Sequence, residues 1–171
     1  MKRTLFFSLL SNMQSFLINL LIVYSILFLT NVPAYFLGLK FQGNEKPKRL
    51  WFEPPAFVIP VVWVVLFFLL AVLRFKLVQI QADELAGMTL ILAFICASYS
   101  YYTLGLEKLT GISALKLGLA GNILVILAAL WVGGMVSELS SNLSYLVFPI
   151  VVWTFFATMI ILGQLRLRKN Q

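Results

Sequence analysis

What constrains this chain most is where charge is missing. No Asp, Glu, Lys or Arg lies between Arg3 and Lys40, Glu53 and Arg74, Glu84 and Glu107, Lys116 and Glu138, or Glu138 and Arg166. Crossing about 30 Å of hydrocarbon at about 1.5 Å per residue takes roughly 20 residues, and each gap is long enough. Inside lipid every backbone N–H and C=O must be satisfied within the protein. Continuously apolar runs of this length therefore imply helices, because a barrel strand is only about 10 residues long and alternates in polarity. The expectation is an all-α integral membrane protein, a five-helix bundle forming one domain over residues 1–171. Its spans fall at about 16–38, 56–77, 85–106, 116–136 and 143–165, with a long basic loop at 39–55. Composition agrees: 11% of residues are charged, against about 25% in soluble domains, and mean hydropathy is +0.98. A soluble globular fold and intrinsic disorder are both excluded.

The first gap is longer than one span requires. Residues 4–15 carry Ser8, Ser11, Asn12, Gln14 and Ser15 among Leu and Phe, and read as an interfacial lead-in to the first span. A signal peptide is the competing reading, since Lys2 and Arg3 precede an apolar stretch. That stretch is short, runs into further apolar sequence and lacks a small-residue cleavage site. Orientation follows from the Lys and Arg of the short loops. One side holds Lys2, Arg3, Arg74 and Lys76; the other holds Lys40, Lys46, Lys48, Arg49, Lys108, Lys116, Arg166, Arg168 and Lys169. This predicts the N-terminus outside and the C-terminus in the cytoplasm, and it accounts for the net charge of +7. No presequence rich in Arg and Ser is evident, which points to a bacterial inner membrane. Nucleic-acid binding would need a basic stripe with interleaved aromatics, and none is found.

Much chemistry is missing as well. The chain has no His, so the commonest general base and the commonest metal ligand are both lacking. The single cysteine, Cys96, falls in the middle of the third span and reads as a small apolar packing residue. All six acids lie outside the spans, which argues against an acidic proton relay. The glycines make no phosphate cradle; Gly133 and Gly134 read as a packing or kink site. No catalytic residue, metal site or cofactor is expected, and conventional acid–base catalysis is disfavoured.

Three aromatic and proline features remain. Pro54-Pro55 follow Trp51-Phe52-Glu53 and fix how the basic loop enters the second helix, since proline is tolerated only at a helix start. Trp51 and Phe52 are then held at the membrane interface, as aromatic-belt residues or as part of a site. In the second helix Trp63, Leu66, Phe67 and Leu70 form an i, i+3, i+4, i+7 stripe that lines a pocket or faces lipid. Pro60 should kink this helix. In the last helix Pro149, Trp153, Phe156 and Ala157 share a side, where a small residue beside large rings admits a neighbouring helix or a ligand. The third helix adds a hydroxyl-rich patch, Ser98-Tyr99-Ser100-Tyr101-Tyr102. Gly118 and Gly121 offer a small-residue face for homodimerisation.

These residues carry a resemblance to the TspO/MBR family, the translocator or tryptophan-rich sensory proteins. The family's second helix opens aromatic-x-Pro-Pro, then Val, then Val-Trp-x-x-Leu-aromatic. Here Phe52-Glu53-Pro54-Pro55, Val58, Val62-Trp63 and Leu66-Phe67 stand in that order. Pro149, Trp153, Phe156 and Ala157 match the family's last helix, and Ser98 with Tyr101-Tyr102 matches its third more weakly. The chain departs where Ile150 replaces Tyr, Ile160 replaces Asn, Ala97 replaces Trp and Phe94 replaces Asn. The resemblance implies a membrane receptor or carrier for a flat hydrophobic ligand, a porphyrin or a sterol-like molecule. It implies a pocket inside the bundle at Trp51, Phe52, Pro54, Pro55, Trp63, Phe67, Tyr102, Trp153, Phe156 and Ala157, with Lys46, Lys48 and Arg49 pairing ligand carboxylates. With no His to ligate iron, a metal-free or otherwise liganded tetrapyrrole is expected. The alternatives are porphyrin breakdown, with Trp51 as redox partner, and a structural role beside another membrane protein.

Overall fold

The computed structural model describes residues 2–39 and 50–169, with side chains from 10 to 39 and from 50 to 168. The basic residues Lys40, Lys46, Lys48 and Arg49 lie outside the described residues. The elements are α1 (Lys2–Phe36), α2 (Val58–Gln79), α3 (Asp83–Ala97), a π-helical turn (Tyr101–Gly105), α4 (Leu106–Thr110), α5 (Ala114–Leu139), α6 (Ser141–Ser144) and α7 (Phe148–Lys169). No strand occurs among the described residues. Four helices are long and apolar enough to cross a membrane; counting α3 with the bent segment after it gives five. The fold is an all-α membrane bundle.

Helix ends follow local chemistry. α1 ends in a Schellman motif: Leu39 N donates to Ala34 O at 2.9 Å and Gly38 N to Tyr35 O at 3.1 Å. Gly38 takes the left-handed φ of +69° that this motif needs. Lys108 Nζ adds a bond to the Leu37 carbonyl at 3.0 Å, a cation at the negative end of the helix dipole. α2 closes in the same way through Ala82 N to Leu77 O and Gln81 N to Val78 O, but with Gln81 at φ 57° instead of glycine. Asp83 and Glu84 then open α3, where the dipole favours acids. Glu107 Oε1 accepts from Ala114 N at 2.7 Å and so caps α5.

Three expectations change. The first helix is longer than 16–38, because α1 runs unbroken from Lys2 and takes in the stretch 4–15. Pro60 does not kink α2. The helix begins at Val58, so the missing N–H of Pro60 falls in the first turn, where amides have no intrahelical acceptor. The third span, expected as one helix over 85–106, is bent by 49° between Asp83–Ala97 and Tyr101–Thr110. There Tyr101 N bonds Ser98 O, so the Ala97 carbonyl loses its usual i+4 donor. In a membrane that carbonyl needs another partner, and Asn31 Nδ2 of α1 approaches it at 3.4 Å. Thr103 Oγ1 takes Tyr99 O at 2.5 Å and Tyr102 OH takes Ile95 O at 3.1 Å. Tyr101 OH reaches Thr30 O on α1, and Tyr99 OH reaches Gly118 O on α5. The hydroxyl-rich patch thus supplies the hydrogen bonds that hold the bend.

Helices packed in lipid gain little from the hydrophobic effect and associate through close van der Waals contact over small residues. Ala86, Ala93, Ala97 and Ala129 are accordingly buried, beside a core of Phe67, Leu70, Leu73, Leu77, Leu92, Val125, Val136 and Ile150. Gly118 and Gly121 are buried within the same chain. A Cβ on Gly121 would stand 2.5 Å from the Tyr102 ring, and one on Gly118 2.9 Å from the Tyr99 hydroxyl, so this small-residue face already serves an internal contact. Gly133 keeps ordinary distance from Val147, and Gly134 meets nothing within 4 Å. α1 packs on α2 and α3, α2 on α3, α3 on α5, and α5 on α7. α2 and α7 are left facing each other across a gap.

Candidate functional site

The gap between α2 and α7 is an apolar groove of about 650 Å³. Val62, Val65, Leu66 and Leu69 form one wall; Phe148, Pro149, Val152, Trp153 and Phe156 form the other. The helices run antiparallel, so the groove follows α2 for about 11 Å at 1.5 Å per residue. Its size lies in the range typical of small-molecule sites, about 300–1,000 Å³. It opens sideways: Val65, Phe148 and Val152 are exposed, so its outer edge faces the bilayer.

The segment leading into α2 reaches across this end of the bundle to α7. Gln164 Nε2 donates to Glu53 Oε2 at 2.8 Å, and the same oxygen accepts from Leu50 N at 3.2 Å. Gln164 is buried, so its amide is held by the carboxylate instead of water. Leu50 fits over Gly163, where a Cβ would come within 2.6 Å of Leu50 Cδ1. Phe52 then meets Phe156 edge-on at 6.5 Å, and Phe156 meets Trp153 at 5.7 Å. This aromatic chain joins the loop segment to the groove wall.

The predicted site residues therefore separate. Trp153 and Phe156 line the groove and Phe52 contacts it. Trp51 packs edge-on against Phe52 at 5.5 Å but is 95% exposed. Pro54 and Pro55 lie in the segment before α2. Trp63 packs against the core cluster and meets Phe67 at 6.3 Å; Phe67 itself is 1% exposed. Phe67 and Leu70 of that stripe are thus core, Leu66 also borders the groove, and Trp63 is half-buried against the core. Tyr102 sits on the π-helical turn against Gly121, on the α5 side of the bundle. Ala157, half-buried on α7, is not among the residues lining the groove.

The sequence reading missed the aliphatic wall and the loop anchor. Val62, Leu66 and Leu69 repeat at i, i+4, i+7, one residue before the aromatic stripe, and that periodicity was visible. Glu53 and Gln164 are each polar residues in apolar surroundings, but 111 residues separate them, and no local signal pairs them. Among the described residues no group of His, Cys, Asp or Glu could hold a metal ion. The family model for the TspO/MBR family matches residues 20–166. No curated protein matches the chain significantly.

Proposed function

Because the chain belongs to the TspO/MBR family, we propose that it is a membrane receptor or carrier that holds a flat hydrophobic ligand, a tetrapyrrole or a sterol-like molecule, in the groove between α2 and α7. The observation that carries this reading is the groove itself: apolar throughout, with three aromatic side chains, Phe148, Trp153 and Phe156, on one wall, and tied to the loop segment through Phe52 and Phe156. A flat ring system would exchange lipid contact for Trp153 and Phe156, and each aromatic pair adds about 0.5–1.5 kcal/mol beyond burial. Any carboxylates on the ligand would stay at the loop end and meet Lys46, Lys48 and Arg49 in water, each pair contributing less than about 1 kcal/mol. The groove would load from the bilayer, in a bacterial inner membrane, with the N-terminus outside and the C-terminus in the cytoplasm.

The test is titration of the purified protein with protoporphyrin, following porphyrin absorbance. Val152→Trp fills the groove from its lipid edge and should weaken binding at least tenfold. Trp63→Phe, at a half-buried position outside the groove lining, should leave affinity within about twofold. Equal affinity in wild type and Val152→Trp would remove the groove as the site.

A further inference from the structure

At the end of the bundle opposite the loop, α1 and α2 are joined by two polar rungs. Gln79 Nε2 donates to Asn12 Oδ1 at 3.3 Å, and Arg74 Nη1 donates to Asn19 Oδ1. The second rung is unusual. Arg74 stands five residues, or about 7.5 Å along the axis, before the end of α2. A long cation near a helix end ordinarily snorkels, with its head in water. Arg74 instead turns inward onto Asn19, which is 3% exposed. Asn19 donates one amide hydrogen to the Ser15 carbonyl at 2.7 Å, which turns its oxygen toward the guanidinium. That partner is neutral, and among the described residues no acid pairs with the Arg74 charge. The Arg74 Nε is buried with no hydrogen-bond partner.

A guanidinium is a planar fork, and its Nε–Nη2 edge matches two oxygens of a carboxylate or phosphate. With Nη1 fixed by Asn19 and Nε enclosed by protein, Nη2 is the corner of the fork left to meet a ligand first, with Nε behind it. At this depth the anion within reach is a phosphate at the boundary between headgroups and acyl chains. Lys76, two residues on and exposed, falls on a different face of α2, over the Phe75 ring, and is not part of this edge. We infer that Arg74, oriented by Asn19, forms a phosphate site at the α1–α2 edge that takes the headgroup of an anionic phospholipid. This site lies on the other side of α2's length from the loop and does not depend on the groove having a ligand.

The full chain in detergent is given phosphatidylglycerol, phosphatidylcholine or inorganic phosphate. Lipid retention is read by native mass spectrometry, and protection by thermal unfolding. Wild type should retain phosphatidylglycerol at least fivefold over phosphatidylcholine. Arg74→Gln should abolish that preference. Arg74→Lys keeps the charge but not the fork and should show an intermediate preference, which decides the matter if Arg74→Gln does not fold. Lys76→Gln removes an equal charge from an exposed position and should change the preference less than twofold. Protection by inorganic phosphate that Arg74→Gln abolishes would keep the phosphate site but assign it to the free ion. Equal retention of the two lipids by wild type, or an equal loss in Lys76→Gln and Arg74→Gln, would overturn the site.

Discussion

At the scale of single residues, the helix contacts distinguish glycines that sequence alone cannot. Gly121 and Gly134 both sit in α5, yet a methyl group at Gly121 collides with the Tyr102 ring while one at Gly134 meets open space. Gly121→Ala should therefore destabilise the protein by about 1–3 kcal/mol, as overpacking does. Gly134→Ala should be neutral or stabilise by up to about 1 kcal/mol, through helix propensity. Thermal unfolding of the two variants in detergent makes the comparison. Gln81 is a second such case. It holds a left-handed conformation at the end of α2 that glycine adopts without a Cβ clash. Gln81→Gly should raise stability by about 0.5–1 kcal/mol, and an unchanged or lowered unfolding temperature would count against strain at that turn.

At the scale of elements, the bend in the third span was the least legible feature. Absence of charge marks a span but is blind to hydrogen-bond register, so residues 85–106 read as one helix. The signal was the concentration of hydroxyls from Ser98 to Thr103, whose role emerges only when α1 and α5 are placed beside them. Asn31 and Tyr101 bond across to the neighbouring helix at the break. Removing both in Asn31→Leu, Tyr101→Phe should cost about 1–2 kcal/mol, since interhelical bonds in membranes average about 0.6 kcal/mol and reach about 1.7. Amides 98–105 should exchange faster while those of α2 keep their protection. Uniform protection in the double variant would show that the bend does not depend on these side chains.

At the scale of the whole molecule, the bundle architecture was legible because lipid imposes it: every charge-free gap had to become a helix. The site was legible only in part. Trp153 and Phe156 were named from their spacing and do line the groove. Trp63 and Phe67, which the resemblance implies for the pocket, lie outside the groove lining: Phe67 is buried in the core and Trp63 packs half-buried against it. The link between Glu53 and Gln164 unites the two halves of the sequence. Gln164→Leu would leave the Glu53 carboxylate without its buried amide donor and loosen the segment from α7. Porphyrin dissociation measured by stopped flow should quicken about threefold to tenfold while the unfolding temperature falls by only a few degrees. An unchanged dissociation rate would mean that the segment does not restrain the ligand. The slot between α2 and α7 carries one more consequence. A guest arriving through it travels from oil to oil, never shedding a hydration shell at the threshold. Its occupancy would then track its mole fraction in the surrounding leaflet, so diluting the protein in extra lipid should empty the slot even when the total amount of guest is unchanged.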